Sequence, residues 1–181
     1  MPNFCHIESD FGAVGIAWSE RGVVALRLPE TDGSSAMGRF IARTGAVEAV
    51  PPAWLKPTID GLGRYFAGTE VDLSSSPIDL DGVPAFHRAL YLEMLKLAWG
   101  ETVTYGALGD RVGAPGTARD VGQAMGLNPI PVIVPCHRVL ASGNKLGGFS
   151  APGGNRTKLT LLRMEGARLG AHDPAQMAFG F

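Results

Sequence analysis

The run Pro131-Val132-Ile133-Val134-Pro135-Cys136-His137-Arg138-Val139-Leu140 constrains this chain more than any other stretch. Two prolines bracket a β-branched apolar segment. Each fixes its own φ and pushes the residue before it towards extended backbone, so the chain arrives at Cys136 with little freedom. A nucleophile needs such placement, because rate depends on holding the attacking atom in line with its target. A lone Cys beside an apolar run is more often a buried, inert side chain. Here His137 and Arg138 follow it directly, and neighbours of that kind raise the thiolate fraction of a group that otherwise titrates near about pH 8.5. Adjacent residues on an extended chain point to opposite faces. His137 therefore need not touch the sulfur, and activation through a water or a third group stays open.

The chain of 181 residues can bury a core as one domain or two small ones. With 45% hydrophobic and 18% charged residues it is globular rather than disordered. No basic stretch precedes an apolar one at the N-terminus, and no apolar run approaches bilayer-spanning length, so a cytosolic protein is expected. In a reducing compartment Cys5 and Cys136 are expected to stay unpaired. Cys5-His6 has no second ligand pair at suitable spacing and does not make a zinc site. The net charge of −1 argues against indiscriminate nucleic-acid binding. It conceals an asymmetry: residues 1–100 carry eight Lys or Arg against twelve Asp or Glu, and residues 101–181 carry eight against five. A modestly basic second half suits a small DNA-facing surface.

Residues 5–7, 13–18 and 23–28 read as a meander of strands, with a turn at Ser19-Glu20-Arg21-Gly22. Helices are expected over 34–45 and 54–66, the second with Leu55, Ile59, Leu62 and Phe66 at helical spacing, and a short strand over 71–73. Ser74-Ser75-Ser76-Pro77 and the Asp, Gly and Pro residues after it read as a linker. It divides a supporting domain, 1–80, from a second, 81–170, with 171–181 as a tail. Residues 86–99 form a long helix stopped at Gly100. Thr104 caps a helix to about Val112, Gly113-Ala114-Pro115-Gly116 turns, and Thr117 caps a second helix ending near Gly126. Helix, short turn, helix is a helix-turn-helix pattern, weak alone but stronger immediately before a reactive Cys. The segment 141–155, with Gly143, Gly147, Gly148, Gly153 and Gly154, is a loop. A closing helix over 157–166 turns Leu159, Leu161 and Leu162 to the core. The fold class is α+β.

Pro135-Cys136-His137-Arg138-Val139 resembles the active-site signature of the O6-alkylguanine-DNA alkyltransferases, or methylated-DNA–protein-cysteine methyltransferases. The likeness extends to Tyr105, to Ala118-Arg119-Asp120-Val121-Gly122, to Asn128-Pro129 and to Leu161-Leu162-Arg163-Met164-Glu165-Gly166, in the family's order and nearly its spacing. It implies a small ribonuclease-H-like N-terminal domain and a mostly helical, winged-helix-like second domain. It implies stoichiometric repair of O6-alkylguanine in double-stranded DNA by a monomer, with no cofactor. Some members carry an N-terminal zinc, but this chain does not show that ligand set.

By that resemblance Cys136 takes the alkyl group, His137 is a base acting through a water, and Glu165 holds the imidazole in the needed tautomer. Tyr105 donates to guanine N3. Arg119 fills the stack left by the flipped base, with Thr117, Ala118 and Arg138 also at the DNA. Val139, through its carbonyl, and Phe149, Ser150 and Asn128 belong to the pocket or its support. Phe149 stands where many members carry Tyr, and the loop 150–154 is longer by two residues than the form compared. Taken without the family, Arg119 is a solvated charge, Tyr105 a packing aromatic and Glu165 a surface residue. Two other function classes compete: a non-catalytic alkylated-DNA binder or helix-turn-helix regulator, against which Cys136 counts, and a cysteine hydrolase, for which no oxyanion-hole motif stands out.

Overall fold

A computed structural model of the chain describes residues 1–29, 36–114 and 118–170. It divides into two compact units. The first holds Met1–Gly82 and Pro129–Ile133, the second Val83–Asn128 and the chain from Val134 onward.

In the first unit Asn3–Ile7 (β1), Val14–Trp18 (β2) and Val23–Arg27 (β3) form the expected antiparallel meander, with Asn3 opposite Trp18 and Gly15 opposite Arg27. Every residue of β2 is buried, as suits a central strand covered on both faces. The helix Ala36–Thr44 (α1) lies inside the expected 34–45 range. Its Phe40 packs on Phe4, Ala17, Ala25 and Ala46, meeting Phe4 edge-to-face with centroids 6.4 Å apart. Val47–Glu48 (β4) was not expected. It pairs parallel with β1 and completes the order β3-β2-β1-β4. Lys56–Phe66 (α2), preceded by a 3-10 turn at Ala53–Leu55, buries Leu62, Tyr65 and Phe66. The strand expected at 71–73 does not form. The contact with β3 comes later, where Val23 N donates to the Pro77 carbonyl and Asp79 N to the Val23 carbonyl, both at 2.8 Å. Ser76-Pro77 sets that approach, and Pro77, which lacks an N–H, offers only its acceptor.

In the second unit Ala85–Met94 (α3) stops five residues short of the expected end. Leu95, Lys96 and Leu97 tighten through successive backbone bonds to Tyr91, Glu93 and Met94. The turn delivers the Leu97 carbonyl and Gly100 to other partners, described below. Val103–Thr104 (β5) pairs parallel with Val139–Leu140 (β6). Thr104 Oγ1 caps Tyr105–Arg111 (α4), accepting from Ala107 N at 3.2 Å, as the sequence predicts. Ala118–Gly126 (α5) follows. The turn residues Pro115 and Gly116 and the cap expected of Thr117 lie outside the described residues, as does the tail from 171. Asn155–Met164 (α6) begins two residues before the expected start and ends with Glu165 as its C-cap. Leu159 and Leu162 close a core with Leu140 and Leu146, and Leu161 is fully buried. Among the described residues no helix is long and apolar enough to cross a membrane.

Candidate active site

Pro135 does more than stiffen the backbone. Its φ of −80° and ψ of 62°, with Cys136 N donating to the Val134 carbonyl at 2.8 Å, make an inverse γ-turn. Cys136–Arg138 then winds as one 3-10 turn, where an extended chain was expected. With three residues per turn, the side chains of Cys136, His137 and Arg138 leave the backbone in three different directions. Asn128 Nδ2 donates to the same Val134 carbonyl at 2.8 Å, so that oxygen is held from two sides.

Behind the cysteine lies a buried polar chain. His137 Nε2 stands 2.7 Å from Glu165 Oε1. Arg138 donates through Nε to Glu165 Oε2 at 2.7 Å, through Nη2 to Oε1 at 3.1 Å and through Nη1 to the Leu97 carbonyl at 2.8 Å. Burial alone would raise the Glu165 carboxyl, but its hydrogen bonds and charge contacts with His137 and Arg138 outweigh burial and bring it down to about 2. A carboxylate only accepts, so the imidazole nitrogen facing it carries the proton, and Nδ1 is the basic atom. Burial lowers His137 despite Glu165, keeping the ring neutral near neutral pH.

Burial also pushes the Cys136 thiol up, while a hydrogen bond from Asn128 and the charge of Lys158 pull the other way. Lys158 is fully buried; its Nζ donates to the Val139 carbonyl at 2.6 Å and the Gly148 carbonyl at 3.1 Å and lies 5.7 Å from the Tyr105 ring centroid. That ring fits against Gly147, whose φ of 66° and lack of a Cβ permit the approach: a Cβ there would stand 3.2 Å from Tyr105 Cε2. Tyr105 Oη donates to the Gly148 carbonyl at 3.3 Å.

Cys136 lines a cavity of about 450 Å³. Ala118, Gly122, Met125 and Gly126 of α5 form one wall, Gly148, Phe149 and Ser150 the other, with Tyr105 beside them. Ser150 Oγ donates to the Gly126 carbonyl at 3.0 Å and ties the walls together. Exposed Ala118, Gly126, Gly148 and Ser150 show that the cavity reaches solvent. Its size falls in the range of small-molecule sites, enough for one nucleobase. Among the described residues no three or more His, Cys, Asp or Glu gather as a metal site requires. Cys5, half-buried on β1, has its thiol raised by burial and then by Glu48.

Residues 85–167 match a family model described as 6-O-methylguanine DNA methyltransferase, DNA binding domain. A methylated-DNA–protein-cysteine methyltransferase of Mycobacterium tuberculosis is 43% identical over 170 residues, 93% of this chain and 94% of that protein. This chain belongs to the methylated-DNA–protein-cysteine methyltransferase family. A second relative of that name, from Methanothermobacter thermautotrophicus, is 31% identical over 86% of this chain and 81% of its own length. Among solved structures, Mycobacterium tuberculosis OGT in complex with DNA superposes with a TM-score of 0.73 at 34% identity, covering 99% of both chains. An O6-methylguanine-DNA methyltransferase from Pyrococcus kodakaraensis gives 0.67 at 25% identity, over 92% of this chain and 100% of that one.

Within this methyltransferase the residues singled out from sequence do not all lie together. Cys136, Tyr105, Ala118, Phe149 and Ser150 share the cavity. His137 and Glu165 lie behind it. Asn128 and Val139 do not line it: Asn128 braces the Val134 carbonyl, and the Val139 carbonyl accepts from Lys158. Arg119 is exposed on the first turn of α5. Arg138 is a correction. Expected at the DNA, it is 7% exposed, and its guanidinium is committed to Glu165 and the Leu97 carbonyl. Lys158 was missed. It stands three and four residues before Leu161 and Leu162, on the core face of α6, and a lysine at that spacing was the available signal.

Proposed function

We propose that this protein repairs double-stranded DNA by moving the alkyl group of O6-alkylguanine onto Cys136, once per molecule, as a cytosolic monomer. We read α4 and α5 as a helix-turn-helix within a winged-helix-like unit, and the first unit as a ribonuclease-H-like support. The observation that carries the reading is a cysteine lining a solvent-connected cavity of base size while its neighbour His137 is held by a buried, ionised carboxylate.

The reaction follows from these parts. The target nucleotide leaves the stack at a cost of a few kcal/mol, and Arg119, exposed at the start of α5, takes its place. Reading from the minor groove, with its degenerate hydrogen-bond pattern, lets the protein inspect any sequence for one lesion. His137 Nδ1 takes the thiol proton through a water while Glu165 keeps the other ring nitrogen protonated. The sulfur forms a bond to the alkyl carbon, the carbon–O6 bond breaks, and its electron pair stays with the guanine. Tyr105 turns its one hydroxyl proton from the Gly148 carbonyl, a long 3.3 Å contact, to guanine N3 as that negative charge develops. The resulting thioether has no route back to a thiol, so the protein is consumed.

The test is intact-mass measurement after incubation with a duplex carrying O6-methylguanine. One methyl group per molecule, mapped to Cys136, is expected. Cys136→Ala should gain none and still bind the duplex. A methyl group on Cys5, or no covalent gain despite binding, would overturn the assignment; turnover beyond one equivalent would indicate a hydrolase instead.

A further inference from the structure

The loop between α3 and β5 meets the buried polar chain at two points. Its Leu97 carbonyl accepts from Arg138 Nη1 at 2.8 Å. Three residues on, Gly100 adopts φ of 71°, and a Cβ there would lie 2.5 Å from the Glu165 carbonyl oxygen. No side chain fits at that distance, and the atom in the way is backbone, which cannot rotate aside. The loop is closed by its own short bonds: Glu101 Oε2 accepts from Ala98 N at 2.9 Å and Glu101 N donates to the Ala98 carbonyl at 3.0 Å. Beyond it the chain runs through β5 into Tyr105.

We propose that Gly100 is a positioning residue for the alkyl-transfer reaction: the backbone contact it permits sets where the C-terminal end of α6 places Glu165, and through Glu165 the base His137. The proposal rests on the roles given above to Cys136, His137 and Glu165. Its physical content is one of lever and load. Glu165 is the C-cap of α6, so a shift of its carbonyl carries the whole residue, and the 2.7 Å contacts to His137 and Arg138 lengthen together. Hydrogen bonds weaken steeply as distance and angle depart from their optimum. A histidine with a poorly placed carboxylate partner accepts the thiol proton less readily. The groups facing the Cys136–His137 pair are Glu165 and Lys158 from the α6 region, Arg138 from its own turn, Asn128, and the tyrosines Tyr91 of α3 and Tyr105 of α4. Of these, Glu165 is the one Gly100 touches.

The test separates position from mere strain by pairing two substitutions. Gly100→Ala and Gly143→Ala both place a Cβ on left-handed backbone, at φ of 71° and 74°, but nothing lies within 4 Å of a Cβ at Gly143. The first readout is the pH profile of Cys136 alkylation by iodoacetamide, which needs no DNA. The second is methyl uptake from an O6-methylguanine duplex. Gly100→Ala should move the alkylation midpoint to higher pH and slow both reactions roughly tenfold near pH 7.5, a part of the about 10²–10⁴-fold that a general base supplies, because the base is displaced and not removed. Gly143→Ala should match the unsubstituted protein in both. A Gly100→Ala profile that overlays that of Gly143→Ala overturns the proposal, whatever its thermal stability.

If Gly100→Ala does not fold, Glu101→Ala loosens the same loop from the surface. It should shift the midpoint in the same direction by a smaller amount, and an unchanged midpoint counts against the proposal. Should the unsubstituted protein take up no methyl group while Gly100→Ala still shifts the iodoacetamide profile, the assigned reaction fails and the positioning role stands.

Discussion

The two units handle charge in opposite ways. On the first, Arg21 reaches Asp79 at 3.2 Å and Asp81 at 2.7 Å with its side chain 64% exposed. In the second, Glu165 meets His137 and Arg138 at 2.7 Å each, with the Glu165 and His137 side chains fully buried and that of Arg138 9% exposed. Similar contact distances do not mean equal consequence. Water already solvates Arg21 and Asp81, whose side chains are 64% and 68% exposed, so their bond adds little and salt screens it; Asp79 is the buried end of the arrangement and is held by Ser19 Oγ as well. The buried carboxylate has no water to fall back on, and its partners become costly the moment it is removed. The first arrangement staples a hairpin turn to the chain after α2; the second can hold a base in one tautomer.

The sharpest way to break that contrast is Glu165→Ala. It leaves the Arg138 guanidinium buried without its carboxylate, and should cost about 3–5 kcal/mol by denaturant midpoint, the usual consequence of halving a buried pair. Methyl uptake should fall by a factor of about 10² or more, as expected on disabling a general base. A loss as small as that of a surface pair would show that the interior site is far wetter than its exposure suggests.

Acid should act on the same groups in two stages. His137 is held below its ordinary value of 6.5, so the unfolded chain takes up a proton that the folded ring refuses, and stability falls as pH drops through that value. Glu165 is held down from 4.5 to about 2, and its contribution, complete above 4.5, is lost as pH falls towards 2. Thermal midpoints measured from pH 8 to pH 3 should decline across both windows, and a flat profile between pH 7 and pH 5 would argue against a buried neutral His137.

Lys158→Met sharpens the contrast from the cationic side. It keeps length but takes a donor from the buried Val139 carbonyl, costing about 1–3 kcal/mol, while the Gly148 carbonyl keeps Tyr105 Oη and the solvent. Because the charge of Lys158 lowers the Cys136 thiol, the alkylation midpoint should also rise. Arg21→Ala is the smallest. Its thermal midpoint should fall only slightly, because Asp79 keeps the Ser19 hydroxyl at 2.6 Å and Asp81 is exposed, and a large drop would mean that Asp79 depends on the arginine.

Much of this molecule was legible because local rules govern it. The meander of β1 to β3, the Thr104 cap and the leucine face of α6 each follow from periodicity or capping chemistry within a few residues. What escaped has nonlocal causes. β4 is two exposed residues whose pairing with β1 decides their conformation. α3 gives way to a turn whose Leu97 carbonyl accepts from Arg138, 41 residues on, and no residue between 94 and 99 announces that partner. At the site, His137 and Glu165 were paired from the sequence and stand 2.7 Å apart, whereas Arg138 was sent to the DNA and Lys158 was passed over.

By itself the sequence determined that the backbone leading into Cys136 is restricted, since Pro135 fixes its own φ whatever surrounds it. It also determined which face of the last helix would be buried. Only the tertiary structure decided what the long cationic side chains do. Arg138 finds its carboxylate 27 residues away and its carbonyl 41 residues away, and Lys158 finds Val139 at a separation of 19. A lysine or arginine carries several rotatable bonds between backbone and charge. Its environment is therefore set by whichever distant segments close around it, and not by its neighbours in the chain.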